Sequence, residues 1–430
     1  MLSRAFAICF LALVAAGARG AEEFAFDAAE FSRKPLEFGS YVELRHDQFR
    51  LNPDGAFYKL NFFSQPRSVL NRSTAILKPS GKFSAGIATF NFRAHVERQV
   101  SSTGNDQANR FEEFSLSLKP HAGFTLDAGK VAMKWGKGYA WNPVGFVERA
   151  KDPNDPELAR EGFTLLSADF IRNLDGPLQT VAFTPVLVPV TSDLNNSFGA
   201  PDHVNVAAKL YLLYRDTDID FMFLSNGSRT RRYGADFSRN LSSNLEIHGE
   251  WARIEDAQRP VTNAAGAVTT TTSTVHSYLL GLRYLSERDT TTILEYYRNG
   301  SGYTGDEMRG FYGLVNNGYA QFQNTANPSL LQRALALSQG GYGSPNSGRD
   351  YLYLRISQKE PFDMLYFTPA VTLISNLGDR SFSVTPELLY TGITNVELRL
   401  RALFLAGGAN TDFGEKQNSR RLELMARIYF

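Results

Sequence analysis

The feature that most constrains this chain is an alternation of apolar and ionic residues with a period of two, kept up to its last residue. Leu422, Leu424, Ala426, Ile428 and Phe430 alternate with Arg421, Glu423, Met425, Arg427 and Tyr429. Upstream, Val396, Leu398, Leu400, Ala402 and Phe404 alternate with Glu397, Arg399, Arg401, Leu403 and Leu405. Near the front, Ala88, Phe90, Phe92, Ala94 and Val96 alternate with Thr89, Asn91, Arg93, His95 and Glu97. A strand sends successive side chains to opposite faces, so each segment has one apolar and one ionic face. In a soluble sandwich the apolar face would cover a core. In a transmembrane barrel it meets lipid, and the ionic face lines a wet interior.

Turns and lengths favour the barrel. Short polar turns are expected at 78–81, 119–123, 173–176, 215–218, 240–244, 286–289, 359–363 and 391–394. Longer connections fall near 50–56, 99–110, 135–162, 191–203, 255–274, 300–350 and 407–418, with short exceptions at 225–230 and 376–381. The pattern predicts an all-β fold, a single transmembrane antiparallel β-barrel of about 18 strands. Short turns and both termini would face the periplasm, and long loops the exterior. Each strand with its connection then has about 23 residues, which leaves roughly 10 for a tilted crossing. The chain carries 32 Phe, 19 Tyr and 3 Trp. Aromatics gather at the interfaces of such barrels, and Tyr41, Tyr233, Trp251, Tyr390, Phe404 and Tyr429 are expected near the ends of outward rows.

Charge and hydropathy exclude other classes. Lys plus Arg is 45 against 44 for Asp plus Glu, so the basic excess of a nucleic-acid binder is missing. A mean hydropathy of −0.26 leaves no room for a bundle of transmembrane helices. Residues 1–20 read as a cleaved signal peptide. Arg4 is its charged start, an apolar run comes next, and Ala18 and Gly20 are the small residues before the cut. The single cysteine, Cys9, lies inside it, so no disulfide or cysteine metal site is expected in the mature protein. Residues 21–36 are expected to form a short periplasmic leader and 37–430 the barrel.

With this signal segment and the terminal Leu422, Leu424, Ala426, Ile428, Tyr429 and Phe430, the chain resembles Gram-negative outer-membrane barrel proteins. The resemblance implies location in the bacterial outer membrane. It also implies that Leu424, Ile428 and Phe430 are the signal read by the barrel-assembly machinery. Length and strand count are similar to those of the substrate-specific porins and the alginate-export type of channel. The short leader does not match the large plug of energised transporters, whose barrels have about 22 strands.

The segment 134–162 loses the alternation and is rich in Gly, Pro and charge. Gly136 and Gly138 permit sharp turns beside Trp135 and Trp141, and Pro143, Pro153 and Pro156 stiffen the chain beyond them. It is expected to fold into the lumen and narrow the pore, with Lys134, Trp135, Lys137, Trp141, Glu148, Arg149, Asp152, Asp155 and Arg160 at the constriction. Charges of both signs would set a transverse field there. The oxygen-rich run from Asp152 to Glu157 lacks EF-hand spacing, so no metal is expected.

A second candidate is an inward stripe on the wall: Glu43, Arg45, Arg93, Arg355, Arg399, Arg401, Glu423 and Arg427. A ladder of arginines would guide small anions, although the glutamates among them allow simple pairing. In the loop at 300–350, Asn327 and Pro328 are expected to start a short helix. Leu330, Leu331, Ala334 and Leu335 would form its apolar face and Gly340 its end. His95 with Glu97, and Glu246, His248 and Glu250, fall on inward faces, but no hydrolase or zinc motif surrounds them.

The expected function is passive diffusion of small hydrophilic, mildly preferred anionic, solutes, with no enzyme activity and no cofactor. Partners would be outer-membrane lipid and lipopolysaccharide, the assembly machinery and the solute; a homo-oligomer is compatible. Two rivals stand beside it. One is a channel for hydrophobic compounds with lateral release, supported by the doubly apolar strand around Pro185 and Pro189. The other is a non-conducting scaffold for a surface polymer or partner protein.

Overall fold

A computed structural model describes residues 35–156 and 161–430. The expected signal peptide, nearly all of the leader, and Glu157 and Arg160 of the 134–162 segment lie outside the described residues.

The sheet has 18 strands and closes on itself. In chain order they are β1 Leu36–Leu51, β2 Val69–Ala85, β3 Ala88–Ser101, β4 Gly104–His121, β5 Phe124–Val131 and β6 Phe163–Asn173. Next come β7 Leu178–Val190, β8 His203–Tyr214, β9 Thr217–Leu224, β10 Arg232–Ser242, β11 Leu245–Thr262 and β12 Val268–Leu285. The last are β13 Thr290–Arg298, β14 Asp350–Gln358, β15 Phe367–Asn376, β16 Ser381–Ile393, β17 Val396–Ala406 and β18 Asn418–Tyr429. Each strand is antiparallel to its sequence neighbours, and β1 closes the barrel against β18 with Glu43 opposite Arg427. Closure leaves no sheet edge to pair with another chain.

The alternation read from the sequence divides the two faces. Leu424 is 53% exposed on the outside while Glu423, its neighbour, is 1% exposed on the inside. Tyr233, Trp251, Tyr390 and Phe404 are outward and exposed, as expected of residues meeting lipid. Tyr41 and Tyr429 are not outward. The Arg427 guanidinium lies 4.8 Å over the Tyr41 ring, and Tyr429 Oη donates to Glu397 at 3.0 Å. Both share the parity of Arg427 and lie on the lumen face of the short-turn rim.

Most turns fall where expected, and the exceptions have physical reasons. No turn occurs at 78–81: β2 runs through it to a turn at Gly86 and Ile87. Pro79 is tolerated because the β2–β3 ladder is interrupted there, between the pairs Leu77–Val96 and Ser80–Arg93. The connections expected at 99–110 and 255–274 are mostly strand, closing in turns at 102–103 and 263–267. The connection near 50–56 extends over 52–68 and contains helix α1, Ala56–Phe62.

The β13–β14 connection contains helix α2, Gly305–Thr325, and helix α3, Ser329–Leu337. Thr304 and Glu307 form a capping box at the start of α2. Asn327 Oδ1 accepts from the Ser329 N–H at 3.0 Å, but α3 buries Leu331 and Ala334 while Leu335 is exposed. The helix ends at Leu337, before Gly340. The three helices share one core through Phe57, Phe311, Leu314, Leu331 and Tyr342. Because α1 follows β1 and α2 contacts β11, on the far side of the barrel, this cap bridges the long-loop end.

Leu400, near the middle of β17 on the outward face, tests the assignment of faces. Leu400→Arg is expected to cost about 2–4 kcal/mol of stability in lipid vesicles, measured by denaturant titration. A loss below about 1 kcal/mol would mean that this row does not meet hydrocarbon.

Candidate functional site: a loop held against the lumen wall

Two buried glutamates organise the lumen. Alternation along β11 turns Glu246, His248, Glu250 and Ala252 inward, and on β13 it turns Glu295 inward. Glu250 Oε1 accepts from the backbone N–H groups of Lys137 at 2.7 Å and Gly138 at 2.6 Å. Its Oε2 accepts from Val144 at 3.3 Å. Glu295 accepts from the Ala140 N–H at 2.8 Å and from that of Tyr139. His248 Nε2 stands 2.9 Å from the Glu295 carboxylate. A loop that leaves the sheet must satisfy its N–H groups elsewhere, and an ionised carboxylate is a strong acceptor for them.

Glycine allows the close approach. Gly136 has φ +92°, and a Cβ built there would stand 2.6 Å from Glu250 Oε1. A Cβ on Gly138 would stand 2.4 Å from the Trp141 carbonyl oxygen. Any side chain at either position would push the loop off its acceptor.

Apolar packing extends the contact around the wall. Trp135, Val144, Phe146 and Val147 pack against Phe163, Val186, Val188, Met222 and Leu224. Ala140 and Trp141 pack against Leu279, Tyr351, Tyr353 and Ile374, with the Trp141 ring stacked on Tyr297 at 5.1 Å. Residues 132–148 thus line the inner wall from β6 round to β15. This accounts for the doubly apolar β7: one face meets lipid and the other meets the loop. Pro185 falls where the β6–β7 ladder skips two pairs. Further along, Asn195 Nδ2 bridges the carbonyls of Thr164 (2.7 Å) and Pro189 (2.8 Å).

The charged residues of the loop have separate fates. Lys137 Nζ lies 3.0 Å from Asp220 on β9. Burial works against its ammonium, but the Asp220 carboxylate outweighs burial and holds its pKa above the usual lysine value. Glu148 Oε1 accepts from the Trp135 N–H at 3.0 Å. Arg149 donates to the Glu161 carbonyl at 3.2 Å and to Ser197 at 3.1 Å. Asp152 closes a turn onto the Asn154 N–H at 2.9 Å, and Lys134 is exposed. No group of His, Cys, Asp and Glu suited to a metal occurs among the described residues. Asp155 crosses to the other wall, with Oδ2 3.7 Å from Arg399 Nη2 and 3.9 Å from Arg401 Nη1.

The expected wall stripe is a braid of ion pairs. Arg399 meets Glu423 at 3.1 Å, Arg401 meets Glu387 at 2.5 Å, and Arg355 meets Glu387 at 2.8 Å. Arg427 meets Glu43 at 2.7 Å and Glu397 at 3.3 Å, and Arg45 lies 3.7 Å from both Glu43 and Asp47. Arg93 pairs with Glu113 at 3.1 Å. The expected stripe left out Asp47, Glu387 and Arg421, although the parity of β1, β16 and β18 places them beside the named residues. It also passed over Asp218, Asp220 and Asp236 on β9 and β10, which face inward eight and nine strands away from β1. The two histidines are engaged by neighbouring acids: His95 lies 2.8 Å from Glu97 and 3.2 Å from Glu112. Of the expected assembly signal, Leu424 and Ile428 face outward, and Phe430 pairs with Ser40 through backbone bonds of 2.9 and 3.0 Å.

A closed barrel with an apolar outside and an ionic inside is an outer-membrane barrel of porin-like architecture. Solved structures share this fold. OccAB1 of Acinetobacter baumannii is 10% identical, with a TM-score of 0.51 over 92% of this chain and 96% of that one. OccK5 (OpdH) of Pseudomonas aeruginosa is 11% identical, with a TM-score of 0.50 over 92% and 98%. OccK11 (OpdR) of the same organism is 12% identical, with a TM-score of 0.50 over 91% and 96%. No family model and no curated protein matches the chain.

Glu295→Ala removes the acceptor of two loop N–H groups, each such bond to a charged group contributing about 1.5–3 kcal/mol. The expected outcome is protease cleavage within 134–156 of an otherwise folded barrel, at sites resistant in the parent. An uncut variant loop would assign the anchoring to Trp135 and Trp141 instead.

Proposed function

We propose that the protein is a passive outer-membrane channel for small hydrophilic solutes, mildly selective for anions and narrowed by the loop at 134–162. The observation that carries this reading is the meeting of Asp155 with Arg399 and Arg401. Each arginine holds one wall carboxylate at 2.5 to 3.1 Å, while Asp155 stands at 3.7 and 3.9 Å, beyond direct hydrogen bonding, as does Glu423 from Arg401 at 3.9 Å. Asp155 stands where a solute carboxylate would meet the same two guanidinium groups. A contact this loose can be exchanged for a passing anion, with water between. The wall from β14 through β1 to β4 carries the paired charges, so the field there is local and transverse, and the preference it gives is mild. The solute's own gradient drives passage, and no catalytic step is involved.

The helical cap favours a second reading, a barrel that conducts nothing and serves as a scaffold. A cavity of about 380 Å³ beneath the cap, lined by Phe57, Asn154, Pro345, Leu405 and Lys416, favours passage instead. The apolar inner face of β7, which would have suited a channel for hydrophobic compounds, is covered by the loop.

Planar-bilayer recording separates these readings. Discrete steps are expected, with a reversal potential on the anion side under a salt gradient. Arg399→Ala with Arg401→Ala should abolish that preference. Unchanged selectivity would remove the arginine wall from the reading, and folded protein without steps would favour the scaffold.

Acidity gives an independent check. Burial raises the pKa of Asp155 more than Arg401 and Arg399 lower it, so its carboxyl titrates above the usual aspartate range. As pH falls through that raised value, Asp155 is neutralised and the arginines lose a competing anion. Anion selectivity should therefore rise on acidification. Asp155→Asn should show the acid-type selectivity at neutral pH and lose this step; a step that survives the substitution belongs to another group.

A further inference from the structure

Most arginines of the expected wall stripe are paired, whereas three arginines grouped at one place on the outer rim make no ion pair among the described residues. In β1, Asp47, Phe49 and Leu51 face inward, which turns Gln48 and Arg50 outward. In β18, Arg421 and Glu423 face inward, which turns Arg420 and Leu422 outward. Arg50 and Arg420 stand directly opposite each other across the closing seam. Like charges in that position destabilise a strand pair. Arg67, in the β1–β2 connection, borders the same place. Among the described residues no carboxylate pairs with Arg50, Arg67 or Arg420, whereas Arg421, one residue on, pairs with Asp47 at 2.8 Å. At this seam the inward arginine is paired and the outward ones are bare.

The three arginines border a cavity of about 840 Å³ whose other walls include Val69, Phe404 and Leu422. Phe404 and Leu422 belong to the lipid-facing rows of β17 and β18. Position along the strands places the cations at the long-loop end of those rows, at the depth of lipid headgroups in the outer leaflet. A cation group above an apolar wall needs an occupant that carries negative charge at one end and hydrocarbon at the other. Guanidinium forks match phosphate oxygens with two donors each.

We propose that this seam is a binding site for a phosphorylated lipid of the outer leaflet. The phosphate bridges Arg50 and Arg420, with Arg67 beside it, and an acyl chain lies along Phe404 and Leu422. An anion between the two arginines turns their repulsion into an attraction that closes the barrel at the β1–β18 seam. A free phosphate would use the arginines and leave the apolar wall empty; a lipid uses both. The proposal rests on the membrane placement of the barrel and not on conduction, so a barrel that conducts nothing would leave it standing.

The test uses the full mature chain, delipidated in detergent, and native mass spectrometry. The probes are diphosphoryl lipid A, dephosphorylated lipid A and inorganic phosphate. The parent is expected to retain diphosphoryl lipid A and to melt at a higher temperature with it. Arg50→Gln with Arg420→Gln should weaken that binding about tenfold or more. Dephosphorylated lipid A should bind both proteins equally weakly, and inorganic phosphate should leave melting unchanged. Without lipid the double variant should melt no lower than the parent, because the repulsion is gone, which also shows that it folds. Equal retention of diphosphoryl lipid A by parent and variant would overturn the proposal. So would equal binding of the dephosphorylated lipid by the parent, or stabilisation by inorganic phosphate alone. A lipid-free variant less stable than the parent would show that the arginines already have partners within the protein, and would overturn it too.

Discussion

The structure depends on burying two carboxylates, Glu250 and Glu295, against loop backbone. A carboxylate taken out of water is costly unless its lone pairs are filled, and here backbone N–H groups fill most of them. The dependence runs both ways. Without the loop the two acids would face each other's neighbourhood with only His248 for compensation, and without the acids the loop would carry unsatisfied donors along an apolar wall. Trp135, Trp141 and Phe146 then pack where the carboxylates have brought them. The bonds to Glu250 and Glu295 come from loop backbone, so they do not themselves demand particular side chains, except that bulk is forbidden at Gly136 and Gly138.

This anchoring divides the barrel. From β6 to β15 the loop packs against the inner wall, while the braid of ion pairs runs from β14 through β1 to β4. The polypeptide has solved two problems with one alternating pattern: within the membrane the outward rows meet lipid, while the inward rows meet either loop or water. The apolar inner face of β7 and the arginine-rich inner face of β17 are consequences of which medium each inward row meets.

The alternation was legible because it is local: Leu422 to Phe430 show both faces of a strand within nine positions. The short turns were legible where polar residues break that pattern. They were misplaced where polarity did not mean a turn, as at Pro79, which sits in an interrupted ladder, and at 268–274, where a strand has left the membrane and both its faces are wet. The helix from Gly305, which starts on the Thr304–Glu307 capping box, was not among the expected elements; only the shorter one starting at Asn327 and Pro328 was. The loop's composition marked 134–162 as unusual, but its anchors could not be read there. Gly138 and its acceptor Glu250 are separated by 112 positions, and Ala140 and Glu295 by 155. The pairing of Asp155 with β17 was hidden for the same reason. Lys134 and Asp152, chosen for their charge, are exposed.

Net charge is therefore a poor guide to what such a barrel selects. The chain is within one charge of neutral, yet its charges are sorted: arginines and glutamates braid along β14 to β1, and Asp218, Asp220 and Asp236 lie across from them. Pairs at 2.5 to 3.1 Å act as fixed dipoles in the wall and hold their geometry as a solute passes. The contacts that can change are the long ones, where Asp155 approaches two guanidinium groups that are already half satisfied. Discrimination in a lumen of this kind resides in the few charges that are incompletely paired, since only those gain by exchanging one partner for another. A wall with no pairing would bind an anion too tightly to release it, and a wall with complete pairing would ignore it. In the proposed channel the intermediate state, with the loop held by carboxylate acceptors on the opposite side, would let the lumen prefer one charge without trapping it.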